Sequence, residues 1–173
     1  MTDLERVVTV CEKVLEKHGT RNPFAIAAGE GIPVTCCPDF KKLQGMYKVI
    51  LGQRFIFLNG NLNRRTARMV LAHELGHDFL HREMAQGSVV QDYFIMDMAL
   101  KPEYQANLFA AHLLISSEKL ADAVAGGADR DEAAALFHVT PELIDLKMRI
   151  LEWENAQKYG ENAVFSLAKE GEV

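Results

Sequence analysis

The sequence predicts an α+β fold for this chain of 173 residues: a small antiparallel sheet beside one long helix, with further helices completing the core. Three observations predict it. Apolar runs of strand length between residues 32 and 59 are punctuated by glycine and asparagine. On either side, segments with helix start signals carry apolar residues at three- and four-residue spacing. Hydrophobic residues make up 49% and charged ones 25%, enough for a sizeable core in one domain with a small appended lobe.

Thr2 and Glu5 form a capping box ahead of the apolar stripe Leu4, Val7, Val8, Cys11, Val14 and Leu15. Lys17, His18 and Gly19 then supply a cationic last turn and a glycine stop. Asn22-Pro23 opens a short helix through Ala28. Residues 32–37 read as a strand, and residues 46–51 and 54–59 flank Gly52-Gln53, which suits a two-residue type II′ hairpin turn. Asn61 or Asn63 caps the next helix, which runs to about His81. Residues 84–102 form a long connection with an apolar patch at Tyr93, Phe94, Ile95 and Met96. A connection of that length either borders a substrate cleft or folds over the core as a surface loop. Pro102 starts the next helix, and Ser116 caps a short one over residues 117–124. Asp129 with Glu132 begins another that ends near His138, and Thr140-Pro141 opens the last, through about Trp153.

Charge and cysteine usage narrow the setting. A formal net charge of -5 weighs against broad nucleic-acid binding and leaves room for a basic protein partner. The opening Met1-Thr2-Asp3-Leu4-Glu5-Arg6 is acidic and turns amphipathic, unlike a signal peptide, and no apolar run approaches the ~20 residues that span a bilayer. Cys11, Cys36 and Cys37 make an odd count with two adjacent, so the reading is a reducing cytoplasm rather than a disulfide framework. Cys36 or Cys37 as an inhibitory thiolate ligand is the sharper reading of that pair; small apolar strand residues is the preferred one.

The chemistry is carried by His73-Glu74-Leu75-Gly76-His77. Residues four apart lie one helical turn above each other, so His73 and His77 can grip one metal ion. Glu74 is rotated from them by about 100°, beside the metal rather than on it, where a general base acting on metal-activated water belongs. A catalytic zinc ion takes three protein ligands and leaves a fourth position for water. Glu103, on the later helix, is a compatible third ligand. Asn107 lies one turn on from it and can hydrogen-bond the far nitrogen of a ligating histidine. Ala106 and Ala110 are small enough to let the two helices approach closely. The chemistry implied is hydrolysis with one zinc ion. His81 continues the histidine row, either as a spare ligand or, in the more ordinary reading, as a cation at the helix C-terminus. His112 falls half a turn from Glu103 and is a poor ligand. His112 and Tyr104 are the candidates for a donor that stabilises the tetrahedral intermediate.

These residues also carry a family resemblance. Phe55-Ile56-Phe57-Leu58-Asn59, then Leu71-Ala72-His73-Glu74-Leu75-Gly76-His77, then the block from Glu103-Tyr104-Gln105-Ala106-Asn107 to Leu113-Leu114 together resemble the ImmA/IrrE metallo-endopeptidases. The likeness covers residues 23–115 well and the later helices loosely. It implies a zincin-like core over residues 1–115, zinc held by His73, His77 and Glu103, and Glu74 as catalytic base. It also implies a substrate that is a helix-turn-helix transcriptional repressor encoded nearby, cut to release mobile-element or stress-response genes. Two departures stand out. Leu113-Leu114 is followed by Ile115-Ser116 where the family often has Met-Pro, and Gln105 stands where a second acid is common. The second departure leaves Asn107 alone to orient a ligand.

Residues 116–173 form a C-terminal helical region that is expected to pack on the core, and residues 129–153 have the outline of a helix-turn-helix. Its last helix carries Glu142, Asp145, Glu152 and Glu154 against Lys147 and Arg149, so a structural or partner-docking role is favoured over DNA contact. The alternative to a peptidase is a non-catalytic module, stabilised by zinc, that sequesters the repressor. An extended substrate would pair with a sheet edge near the strand at residues 54–59. Neither a membrane nor direct DNA binding is expected.

Overall fold

The structure is a computed structural model describing residues 1–85, 90–92 and 100–160. In chain order its elements are α1 (Asp3–His18), α2 (Pro23–Gly29), β1 (Val34–Cys37), β2 (Gly45–Ile50), β3 (Gln53–Asn59), α3 (Arg64–Ala85), β4 (Val90–Asp92), α4 (Lys101–Leu114), α5 (Ser117–Ala125), α6 (Arg130–Phe137) and α7 (Pro141–Tyr159). The mixed α+β class is as predicted.

Helix α4 is the axis of the fold. Every residue from 105 to 114 is buried, because α3, α1 and α7 pack on different sides of it. A helix enclosed all round is apolar all round, and Leu108, Phe109, Ala110, Ala111, Leu113 and Leu114 meet that demand. Its three buried polar residues, Gln105, Asn107 and His112, must then find hydrogen-bond partners inside the protein. Arg21 closes the last turn by donating to the carbonyls of His112 at 2.6 Å and Leu113 at 3.1 Å.

Most of the other helix termini obey local chemistry; Thr140, at the start of α7, makes no side-chain cap bond. The boxes Thr2/Glu5 and Asp129/Glu132 form as expected. Asn63, rather than Asn61, accepts from the Thr66 N–H at 2.9 Å to start α3. Helix α3 runs past the expected stop to Ala85, broken at His81, whose φ of -133° and ψ of 20° are non-helical. Helix α7 likewise continues to Tyr159.

The sheet differs from expectation in two ways. Its order is β1-β3-β2-β4, with β2 antiparallel to both β3 and β4 but β1 parallel to β3. The sheet is therefore mixed rather than antiparallel, because β1 lies beside the far member of the hairpin. Strand β3 is internal, and among the described residues the free edges are β1 and β4. The hairpin turn is Leu51-Gly52, closed by the pair Ile50 and Gln53. Both central residues have positive φ, 50° and 77°, the type I′ pattern whose twist matches the strands, one residue earlier than predicted. Of the 84–102 connection, β4 falls inside the described residues; the patch at Tyr93, Phe94, Ile95 and Met96 lies outside them. Among the described residues no helix is long and apolar enough to cross a membrane.

Candidate metal centre

Helix α3 presents two faces to two neighbours. Val70, Glu74 and Asp78, spaced by four, face the sheet. Buried Asp78 anchors that face, accepting from the Tyr47 hydroxyl at 2.6 Å, Arg54 Nη1 at 2.8 Å and Arg82 Nη2 at 3.1 Å. Burial, then the Asp78 carboxylate, pushes the Tyr47 phenol above its ordinary range, so it donates at neutral pH. Gly45, the first residue of β2, sits against the Glu74 side chain: a Cβ there would run into the carboxylate and come within 2.5 Å of Val70 Cγ1. Glu74 is fully buried.

The second face meets α4. At Gly76 the helices approach so closely that a Cβ would lie 2.9 Å from Ala106 Cα and 3.0 Å from its carbonyl oxygen. That approach brings Glu103 beside the histidines. His73 Nε2 and His77 Nε2 are 3.0 Å apart, and Glu103 Oε2 lies 3.2 Å from the first and 3.5 Å from the second. Four donors at zinc bond lengths and tetrahedral angles are spaced by about 3.3 Å, so this triangle has the edge length of one face of such a site. On its far side, His73 Nδ1 lies 2.8 Å from Asn107 Oδ1. A carbonyl oxygen only accepts, so Nδ1 carries the proton and Nε2 offers its lone pair. Two nitrogens and a carboxylate suit zinc. The residues fit a metal ion.

The sequence profile of the IrrE N-terminal-like domain, Peptidase_M78, matches residues 30–149. The chain belongs to the ImmA/IrrE family of metallopeptidases. It is similar to Metallopeptidase ImmA of Bacillus subtilis (strain 168), with 30% identity over 141 residues, 79% of this chain and 80% of the relative. It is also similar to the Uncharacterized immunity region protein 2 of Bacillus phage phi105, with 30% identity over 137 residues, 79% of this chain and 85% of the relative.

The remaining candidates of this ImmA/IrrE family chain lie outside the triangle. His81 is no terminal cation: it is 6% exposed, and burial pushes its pKa below the ordinary histidine value. Its Nδ1 lies 3.2 Å from His77 Nδ1 and its Nε2 lies 2.7 Å from Gln105 Oε1. Asn107 is therefore not alone in facing the ligand row; Gln105 reaches it through His81. His112 turns away from the triangle, with Nε2 2.6 Å from Glu12 Oε1 and Nδ1 2.7 Å from Lys147 Nζ. Burial and the Lys147 charge push its pKa down to about 3, so it is neutral. Glu12, His112 and Glu154 also cluster, but the Lys147 ammonium already occupies the cation position facing Nδ1. Tyr104 is half-buried against the core. Cys36 and Cys37 sit on the edge strand β1, outside both clusters.

Gly45, Gln105 and Asp78 are the site residues that sequence reasoning missed. His81, one turn past His77, was the available signal for Gln105. Nothing local pointed to Gly45.

Proposed function

We propose that the chain is a zinc endopeptidase of the cytoplasm, holding one ion on His73, His77 and Glu103 and cleaving a helix-turn-helix repressor encoded nearby. The observation that carries the reading is the convergence of three acceptor atoms within 3.5 Å of one another, with the Glu74 carboxylate on the adjoining face of the same helix. The Bacillus relative is named a metallopeptidase, which supports the hydrolytic part. The phage relative is named for an immunity region, in keeping with a mobile-element setting.

Zinc, when bound, supplies a Lewis acid that polarises the scissile carbonyl and acidifies the attacking water. The protein's own groups do the rest. Glu74 takes the proton of the attacking water and hands it to the leaving amine. Gly45 leaves room for that carboxylate, and Asn107 keeps the His73 lone pair turned inward. An extended substrate adds to the sheet at its β4 edge, next to the strand whose first residue touches Glu74. Residues 1–115 act as the zincin-like core. The region from 116 on serves as scaffold and repressor-docking surface, its acidic last helix suiting a protein partner better than DNA.

The test is Glu74→Gln, incubated with the repressor of the neighbouring gene. The variant should keep its metal while cleavage falls by about 10²–10⁴-fold, the contribution of a general base. Unchanged repressor inactivation without cleavage would favour the sequestering module instead.

A further inference from the structure

His73 and His77 face the triangle with the same nitrogen but are backed differently. Behind His73 stands Asn107. Behind His77 stand two residues in series, His81 and Gln105, one from each of the two helices that build the site. We propose that Gln105 and His81 form a positioning relay that sets the tautomer and ring orientation of His77 for metal binding. The relay rests on the metal reading of His73, His77 and Glu103.

Hydrogen-bond direction assigns each proton. Gln105 Oε1 lies 2.7 Å from His81 Nε2, and a carbonyl oxygen can only accept, so the His81 proton sits on Nε2. His81 Nδ1 is then a bare acceptor. It lies 3.2 Å from His77 Nδ1, so His77 must donate there, which puts its proton on Nδ1. What remains on His77 is the Nε2 lone pair, facing His73 Nε2 and Glu103 Oε2 at 3.0 and 3.5 Å. Reversing the relay would move a proton onto Nε2, where a ligand needs none. His77, His81 and Gln105 are 0%, 6% and 3% exposed, so water does not readily substitute for any link.

The backbone is arranged around the same residue. Helix α3 breaks at His81, and the Leu80 carbonyl at that break accepts from Arg6 Nη2 at 2.9 Å. Gln105 Nε2 has no hydrogen-bond partner among the described residues. The acceptor oxygen is thus the part of this side chain in use, and a carboxylate could supply it equally.

The experiment has two readouts. In the metal-free protein, imidazole nitrogen NMR should show His77 protonated at Nδ1. Zinc affinity, from competition with a chromogenic chelator, should fall about 10–100-fold in Gln105→Leu and in His81→Phe, the usual effect of removing a group that orients a ligand. Gln105→Glu should retain wild-type affinity and the same tautomer. Unfolding of each metal-free variant separates a ligand effect from a damaged fold, and the His77 tautomer of the wild-type protein still decides if neither disrupting variant folds. An Nε2-protonated His77, or wild-type zinc affinity in both disrupting variants, overturns the relay. A wild-type protein that binds no zinc is a different result and overturns the metal site itself.

Discussion

Gly76→Ala tests whether helix spacing builds the metal site. The added Cβ would lie 2.9 Å from Ala106 Cα, 3.0 Å from its oxygen and 3.2 Å from its Cβ, where ordinary contacts begin at 3.4 Å. Helix α4 must therefore retreat by roughly 0.5 Å, more than the ±0.2 Å that a metal site tolerates. Glu103 rides on that helix. Overpacking costs about 1–3 kcal/mol, while alanine's better helix propensity returns about 0.5–1 kcal/mol. Metal-free stability should then fall by about 1 kcal/mol, seen as a drop in Tm of about 2–4 °C for a chain of this size. Zinc affinity should fall at least tenfold, since about 1.4 kcal/mol of misplaced ligand suffices. Thermal unfolding in chelator and a chelator competition measure the two effects separately. A variant as stable as the wild type that binds zinc equally well would refute the claim that this contact sets the ligand spacing.

Two further predictions concern parts remote from the metal. Burial pushes the Lys147 pKa from 10.5 down to about 8, so above pH 8 the unfolded chain holds the proton that the folded one has lost. Stability should rise with pH from about 8, by at most ~1.4 kcal/mol per pH unit. Cys11, whose thiol is raised from 9.0 by burial, acts in the opposite sense from pH 9 upward, confining the rise to about pH 8–9. Urea titrations of Lys147→Met at pH 8 and 9 should show that rise abolished. Leu51 holds a φ of 50° while wholly exposed, a conformation that asparagine adopts at lower cost in a type I′ turn. Leu51→Asn should raise the urea midpoint by the equivalent of about 0.5–1 kcal/mol without altering zinc affinity.

The parts of this protein written in local chemistry were legible from residue order. Caps at Thr2, Asn22, Ser116 and Asp129 name helix starts because a side-chain oxygen two or three residues from an orphan N–H satisfies it wherever the helix ends up. The four-residue spacing of His73 and His77 puts both on one face for the same reason, and one turn separates Glu103 from Asn107. Long-range packing left no such mark. That β1 lies parallel beside β3 depends on which neighbour the strand meets, and a strand's own two-residue period is the same in either case. His112 and Asn107 are both polar residues on a buried helix; their partners differ because α1 and α7 cover one side of α4 and α3 the other. His81 looked like a terminal cation because the helix was expected to end there, and became a neutral link once α4 brought Gln105 against it. Periodicity fixes the direction in which a side chain leaves its helix, whereas the group it meets depends on helices distant in sequence.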